Sequence, residues 1–449
     1  MKRIIDYRLL DWKNETYNRK PLMLRGARQV GKTHAVRTLG KTFTHFIEVN
    51  LETNEEARII MEEGLDVERI IKKLSNLYRT KIIPGSTLLF FDEIQTVPKA
   101  IIALRYFYEL MPKLHVLAAG SLVDFAIAQV GIPVGRVTTL YVYPMSFLEF
   151  LVATGHAYWV KVILENDQEG MSEGLHNKLI ELVGAYIAIG GMPEAVKAWA
   201  ETSLAQRVKE VHTSLLFAYK QDFERYAKQN QIAYLDLVYS KAIFQLSKKF
   251  KFAQLGEYRK RELAPALELL EKAGLYYPVM KSAAQGIPIG GQADFDDFKL
   301  IFLDVGLTQA LLNFDITAWI LESAPSFINK GEIIEAFVGQ EILAYSDPIK
   351  KEYLFYWRRE TKGSEAEVDY LYQIKENVIP IEVKSGPGST LKSMHLFLES
   401  HPKSPYGIRF STQDYSQYEN IKSYPLYAII KLSLEHDDYG LKAVQSLFE

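Results

Sequence analysis

The chain has no cysteine among its 449 residues. That excludes disulfides, thiolate metal sites and cysteine nucleophiles, and it suits a reducing cytoplasm. No apolar run reaches the roughly 18 residues that a membrane-spanning helix needs. The nearest approach, Val137 to Val152, is interrupted by Pro144 and Glu149. Net charge is also small, −2, so no global basic field advertises nucleic acid and any such site must be local. The first residues include Lys2, Arg3, Asp6 and Arg8, charges where a secretory leader would be apolar. These absences predict a cytoplasmic protein with no membrane partner. What is present is ordinary globular material, 48% hydrophobic and 24% charged, enough for sizeable cores in roughly three domains.

One stretch organises the rest: Arg25-Gly26-Ala27-Arg28-Gln29-Val30-Gly31-Lys32-Thr33. It fits G-x-x-x-x-G-K-[ST], the phosphate-cradling loop of P-loop nucleotidases. Pro21 to Leu24 reads as a short buried strand before it, and His34 to Leu39 as the first turns of a helix after it. Two glycines let the backbone wrap with its N–H groups inward, and the helix N-terminus adds positive potential. Gly26 to His34 are therefore the expected ATP-binding residues. Within them, Lys32 can reach the β- and γ-phosphates, and Thr33 can place its hydroxyl on Mg²⁺.

Downstream, Thr87 to Phe91 is an apolar run that ends in Asp92-Glu93. A buried parallel strand would deliver Asp92 to the sheet's carboxyl edge as a Mg²⁺ ligand and Glu93 as the base that orients or deprotonates water. A third apolar strand, Leu114 to Ala119, leads to Gly120-Ser121. Ser121 reads either as a sensor of the γ-phosphate or as a helix N-cap. Arg136 reads either as an arginine finger, in cis or from a neighbour, or as a plain surface arginine. Strands ending at Gly26, Asn50, Asp92 and Ser121 alternate with helices, which predicts a doubly wound parallel α/β sheet.

RGARQVGKT, LLFFDEIQ, AAGS, GRVTTLYVYPMSFLEFL and GGMPEAV together resemble a prokaryotic family of AAA-type ATPases. That family pairs a P-loop module with a C-terminal domain of unknown function. The resemblance implies nucleotide binding by Lys32, Thr33, Asp92 and Glu93, and a helical lid over the nucleotide. The family's sensor is often a Thr-Gly-Ser segment; here it reads Ala119-Gly120-Ser121.

The predicted domains are 1–150 for the AAA-type P-loop ATPase, 151–228 for the helical lid, 229–290 for a winged-helix-like module and 291–449 for the C-terminal domain. In the third, helix, turn, helix and strand follow each other, with bases at Lys248, Lys249, Lys251, Arg259, Lys260 and Arg261. They could meet DNA phosphates or form a solvated face. In the fourth, a hairpin is expected around Glu376-Asn377, with Asp369 across from Glu382-Val383-Lys384 and Glu335 on a preceding helix. This order resembles the PD-(D/E)XK nuclease core. The resemblance implies that Asp369 and Glu382, supported by Glu335, bind Mg²⁺ or Mn²⁺ while Lys384 activates water. The alternative is a ribbon with a surface ion pair.

The expected function is thus an ATP-hydrolysing, Mg²⁺-dependent ATPase that acts on DNA and cuts it with Asp369, Glu382 and Lys384. The alternative is a nucleotide-controlled switch whose nuclease-like half binds a partner and cuts nothing. AAA modules often form rings, so a homo-oligomer or a protein partner is a further expectation.

Overall fold

The structure is a computed structural model. It describes residues 1–131, 135–166, 170–227, 229–321, 327, 330–361, 364–386, 391–436 and 438–448. The chain divides into two compact units. One, the ATPase unit, comprises Arg3–Tyr143 with the short segment Asp347–Lys351; the other comprises Pro144–Ser346 and Glu352–Phe448 with the first two residues.

In the ATPase unit five strands form one sheet: β1 (Leu22–Arg25), β2 (His45–Asn50), β3 (Thr87–Asp92), β4 (His115–Ala119) and β5 (Thr138–Tyr141). Their spatial order is β2-β3-β4-β1-β5, and every pairing is parallel. Parallel strands are covered by helices on both faces, which is why β1, β3 and β4 are mostly apolar, with polar residues at their ends, and are buried throughout. Five helices matter to the site or its frame: α1 (Ile5–Asn14), α2 (Lys32–Gly40), α3 (Glu55–Glu63), α4 (Val67–Leu77) and α5 (Pro98–Leu110). Ile101, Leu104 and Phe107 of α5 lock onto the sheet core with Leu89 and Phe91, each contributing about 2–3 kcal/mol by burial. A sixth helix, α6 (Val123–Val130), follows β4.

Strand β4 lies between β1 and β3, an order that the sequence does not disclose. The residues after β4 therefore sit between the phosphate loop and the acids at the end of β3. The segment 347–351 returns to this unit: the Pro348 carbonyl accepts the Tyr141 N–H at 2.9 Å, and Asp347 pairs with Arg8.

The stretch 144–150 belongs to the second compact unit. Ser146 and Glu149 form a reciprocal capping box on helix Phe147–Ala153. Buried Glu341 accepts the Phe147 N–H at 3.0 and 3.1 Å. Long helices follow at Glu173–Ile189, Pro193–Thr202 and Ala205–Tyr226. The Gly190-Gly191 step between the first two is held by Asp304, whose carboxylate accepts the Gly191 N–H at 2.6 Å. A Cβ at Gly190, where φ is +77°, would lie 2.1 Å from the Asp304 carboxylate, so only glycine fits.

The expected boundary at 290 is not a break. Strands β6 (Tyr276–Ser282) and β7 (Ala293–Phe302) form a hairpin, and β6 pairs in parallel with β8 (Leu354–Thr361). One eight-stranded sheet results, in the order β12-β13-β11-β10-β9-β8-β6-β7. Here β9 is Ser364–Ile374, β10 Asn377–Lys384, β11 Gly407–Ser411, β12 Ser416–Tyr418 and β13 Ile421–Pro425. The hairpin at 375–376 falls where the sequence suggests, with Lys375 at φ 55° in the turn.

Candidate nucleotide site and C-terminal carboxylate cluster

The loop that leaves β1 has the backbone its glycines predict. Gly26 has φ +145°, and a Cβ there would sit 2.1 Å from the Val142 carbonyl oxygen. Gly31 has φ +98° at the N-cap of α2. Gln29 adopts φ 64° without being glycine, a strain that phosphate loops commonly carry. Ala27 and Val30 are buried, Arg28 is half-buried and His34 is exposed on the first turn of α2. Arg3, from the start of the unit, holds the loop from behind. Its guanidinium donates to the Val30 carbonyl at 2.8 Å and to the Tyr143 carbonyl at 2.9 Å. The sequence offered no sign of that role.

Lys32 is buried and its Nζ donates to the carbonyls of Gly26 at 2.9 Å and Ala27 at 2.7 Å. Burial lowers its pKa to about 8, against the pull of Glu93 and Asp92. The Thr33 hydroxyl donates to Asp92 Oδ2 at 3.1 Å. Burial, then the neighbouring Glu93, pushes the Asp92 carboxyl up to about 6. The pair marks a place where negative charge is short of a cation, which suits a Mg²⁺-nucleotide. Glu93 sits at φ 51°, and its Oε2 accepts from Gln95 Nε2 at 2.5 Å. Gln95 thus holds Glu93, a contact that motif reading passed over although it lies inside the quoted DEIQ stretch.

Ser121 follows β4, whose Ala119 is in register with Asp92. Its N-cap alternative is not realised: α6 begins at Val123 behind Leu122, with no side-chain cap. Arg136 is corrected as a finger for its own loop. It precedes β5, which runs parallel to β1 from Leu22↔Thr138, so Arg136 lies at the sheet's amino edge while the phosphate loop lies at the carboxyl edge. There its Nε donates to Glu109 at 3.0 Å.

In the second unit, Glu335 comes from helix Gly331–Tyr345, Asp369 from β9 and Glu382 and Lys384 from β10. They are near one another, but the centre of the cluster is a residue that sequence reasoning missed. Lys299 of β7 is 1% exposed, and its Nζ lies 3.0 Å from Glu335, 2.5 Å from Glu367 and 4.0 Å from Asp369. Asp369 Oδ2 also accepts the Val383 N–H at 2.7 Å, and Lys384 pairs with Glu382 at 2.5 Å. Burial raises the carboxyl pKa values of Glu335, Asp369 and Glu382. Burial opposes the charge on Lys299, yet Glu335, Asp369 and Glu367 outweigh it and raise that ammonium's pKa. Of the expected metal set, Glu335 and Asp369 thus face the Lys299 ammonium and Glu382 faces Lys384. Among the described residues no group of three or more His, Cys, Asp or Glu is arranged to hold a metal ion.

Three of the six bases of the expected patch pair with acids. Lys248 pairs with Glu332 at 3.1 Å, Lys249 with Asp297 at 2.7 Å and Lys260 with Asp296 at 2.5 Å.

Comparison with known proteins agrees with the first of these sites. Residues 18–151 match the family model described as an AAA domain. The chain therefore carries an AAA-type P-loop ATPase domain, on a parallel five-stranded sheet. Residues 180–317 match a domain of unknown function (DUF8612), and residues 330–429 another (DUF4143). No curated protein matches the chain. Among solved structures, that of the Aeropyrum pernix Orc1 protein in complex with DNA aligns over 70% of this chain and 93% of its own. Identity is 12% and the TM-score 0.30, a likeness too distant to carry an inference. Among the described residues no helix is long and apolar enough to cross a membrane.

Proposed function

We propose that the protein is an ATP-hydrolysing AAA-type ATPase that works as a nucleotide-controlled switch, its C-terminal half a nuclease-like binding module that does not cut. The observation that carries the ATPase reading is the Thr33–Asp92 hydrogen bond beside a buried Lys32 held by two backbone carbonyls. On this reading the amides of Ala27 to Thr33 receive the phosphates and Lys32 leaves the carbonyls for the β- and γ-phosphates. Thr33 and Asp92 would hold Mg²⁺, which supplies charge neutralisation when bound. Glu93, steadied by Gln95, accepts the proton of the attacking water, and Ser121 reads the γ-phosphate. The helices of 151–228 are the candidate lid.

The nuclease-like reading of the C-terminal half draws on its order. Helix Gly331–Tyr345 precedes the antiparallel run β8-β9-β10, and after helix Lys392–Ser400 comes β11, parallel to β10. What favours a module that does not cut is the lysine among its acids. The pairing of Lys248, Lys249 and Lys260 with acids leaves Lys251, Arg259 and Arg261 as the bases on which DNA contact would rest. Phosphate release by wild type and by Lys32→Ala tests the ATPase reading, which equal rates would sink. Incubation with supercoiled and branched DNA, Mn²⁺ and ATP tests the rest. Cleavage that disappears in Lys384→Ala would restore the DNA-cutting alternative.

A further inference from the structure

The carboxylate cluster on the second unit's sheet resembles a metal centre in composition and not in arrangement. Four acids, Glu335, Glu367, Asp369 and Glu382, face two amines, Lys299 and Lys384. Lys299 enters from Phe298-Lys299-Leu300-Ile301-Phe302, the buried half of β7, with the Tyr356 ring 5.0 Å from its Nζ. A buried ammonium persists only where carboxylates compensate it, and three of the four acids turn toward this one. The fourth, Glu382, gives one oxygen to Lys384, and Asp369 gives one to a backbone amide. The remaining oxygen of Glu382, Oε2, is buried without a hydrogen-bond partner.

We infer that Lys299 is a built-in cation. Its ammonium occupies the centre on which these acids converge, so this half of the protein is held together without a divalent metal and binds none there. The inference rests on the nuclease-like reading only for the comparison with a metal centre; the charge geometry stands without it. Divalent metals need several oxygens free to point at one centre. Here the oxygens that converge point at Nζ. The corollary is a latent site: without the amine, Glu335, Glu367 and Asp369 are left as an acid cluster that wants a cation.

The test counts bound Mn²⁺ by electron paramagnetic resonance on full-length, nucleotide-free protein. Asp92→Asn serves as the background, so that ATPase-site metal drops out. The background protein is expected to bind no Mn²⁺, and its thermal melting is expected to be the same with Mn²⁺ or with EDTA. Adding Lys299→Met is expected to lower the melting temperature and to create one Mn²⁺ site. Near-saturating Mn²⁺ then returns about 3–5 °C, and Asp369→Asn removes the gain. Should Lys299→Met not fold, the paired Lys299→Met/Glu335→Gln change removes one acid with the amine and keeps two for the ion. Mn²⁺ bound by the background protein and lost on Asp369→Asn would overturn the inference. So would a folded Lys299 variant that gains no Mn²⁺. Mn²⁺ binding without DNA cleavage overturns this inference alone; cleavage dependent on Lys384 also overturns the non-cutting function.

Discussion

Two buried lysines divide the chemistry of this chain. Lys32, in the ATPase unit, is held by two carbonyl oxygens and has its pKa lowered to about 8. Lys299, in the second unit, is ringed by carboxylates that raise its pKa. The first is a charge without a full counter-charge, so an arriving phosphate would improve its surroundings. The second is compensated from within the chain, and any arriving ion must displace something. A buried lysine is therefore no functional signature by itself; the charge left over after its neighbours are counted is what distinguishes a ligand site from a structural one.

The comparison can be broken most easily at Lys32. Lys32→Ala is expected to lower phosphate release by roughly a hundredfold or more, measured with a coupled phosphate assay. A change under about twofold would mean that Lys32 is as structural as Lys299. Glu93→Gln should retain ATP binding, followed by fluorescent-nucleotide titration, while hydrolysis falls by about 10²–10⁴; loss of both together would point to a structural role for Glu93. On the other side, Lys299→Met leaves buried acids without their partner and is expected to cost about 3–5 kcal/mol in denaturant unfolding, with no counterpart effect in Lys32→Ala.

The second unit also carries a buried acid whose charge is resolved by a proton. Glu341 is pushed from 4.5 to about 8, with burial as the main cause. Because the folded state holds that proton when the unfolded chain has lost it, Glu341's contribution is complete below pH 4.5 and is lost as pH rises through 8. Melting temperature should fall across that window in wild type and fall less in Glu341→Gln; identical pH profiles would show that Glu341 stays charged. The smallest effect is expected at Arg136→Ala. Its side chain serves Glu109 at the far edge of the sheet, so the ATPase rate per monomer should stay within about twofold. A large drop that depends on protein concentration would reveal an arginine donated between copies.

The candidate nucleotide site has parts that are local in the sequence. Gly26 to Thr33 is one continuous turn, and Asp92-Glu93 ends one strand, so residue spacing alone carries the chemistry. The interposition of β4 was not legible, since parallel pairing joins segments far apart in the chain. The same reason hid Lys299. Its partners lie at 335, 367 and 369, on elements that meet only in the folded sheet. One signal was available: a single charge inside Phe298-Lys299-Leu300-Ile301-Phe302, where a strand bound for the core needs a partner for it. The acids that pair with three of the six clustered bases, Asp296, Asp297 and Glu332, were hidden for a related reason, since they lie outside the basic stretch.

Arg3 joins Val30 to Tyr143, the last residue before the main chain leaves the ATPase unit. The two ends of that unit's main segment therefore lie within one side chain of each other. A segment closed in this way can be inserted into another protein, or reopened at a surface loop, with only a short linker to rejoin its ends. The same guanidinium makes the seam mechanically continuous with the phosphate loop, so a pull on the chain at residue 3 or residue 143 is felt at Val30 through its hydrogen bonds.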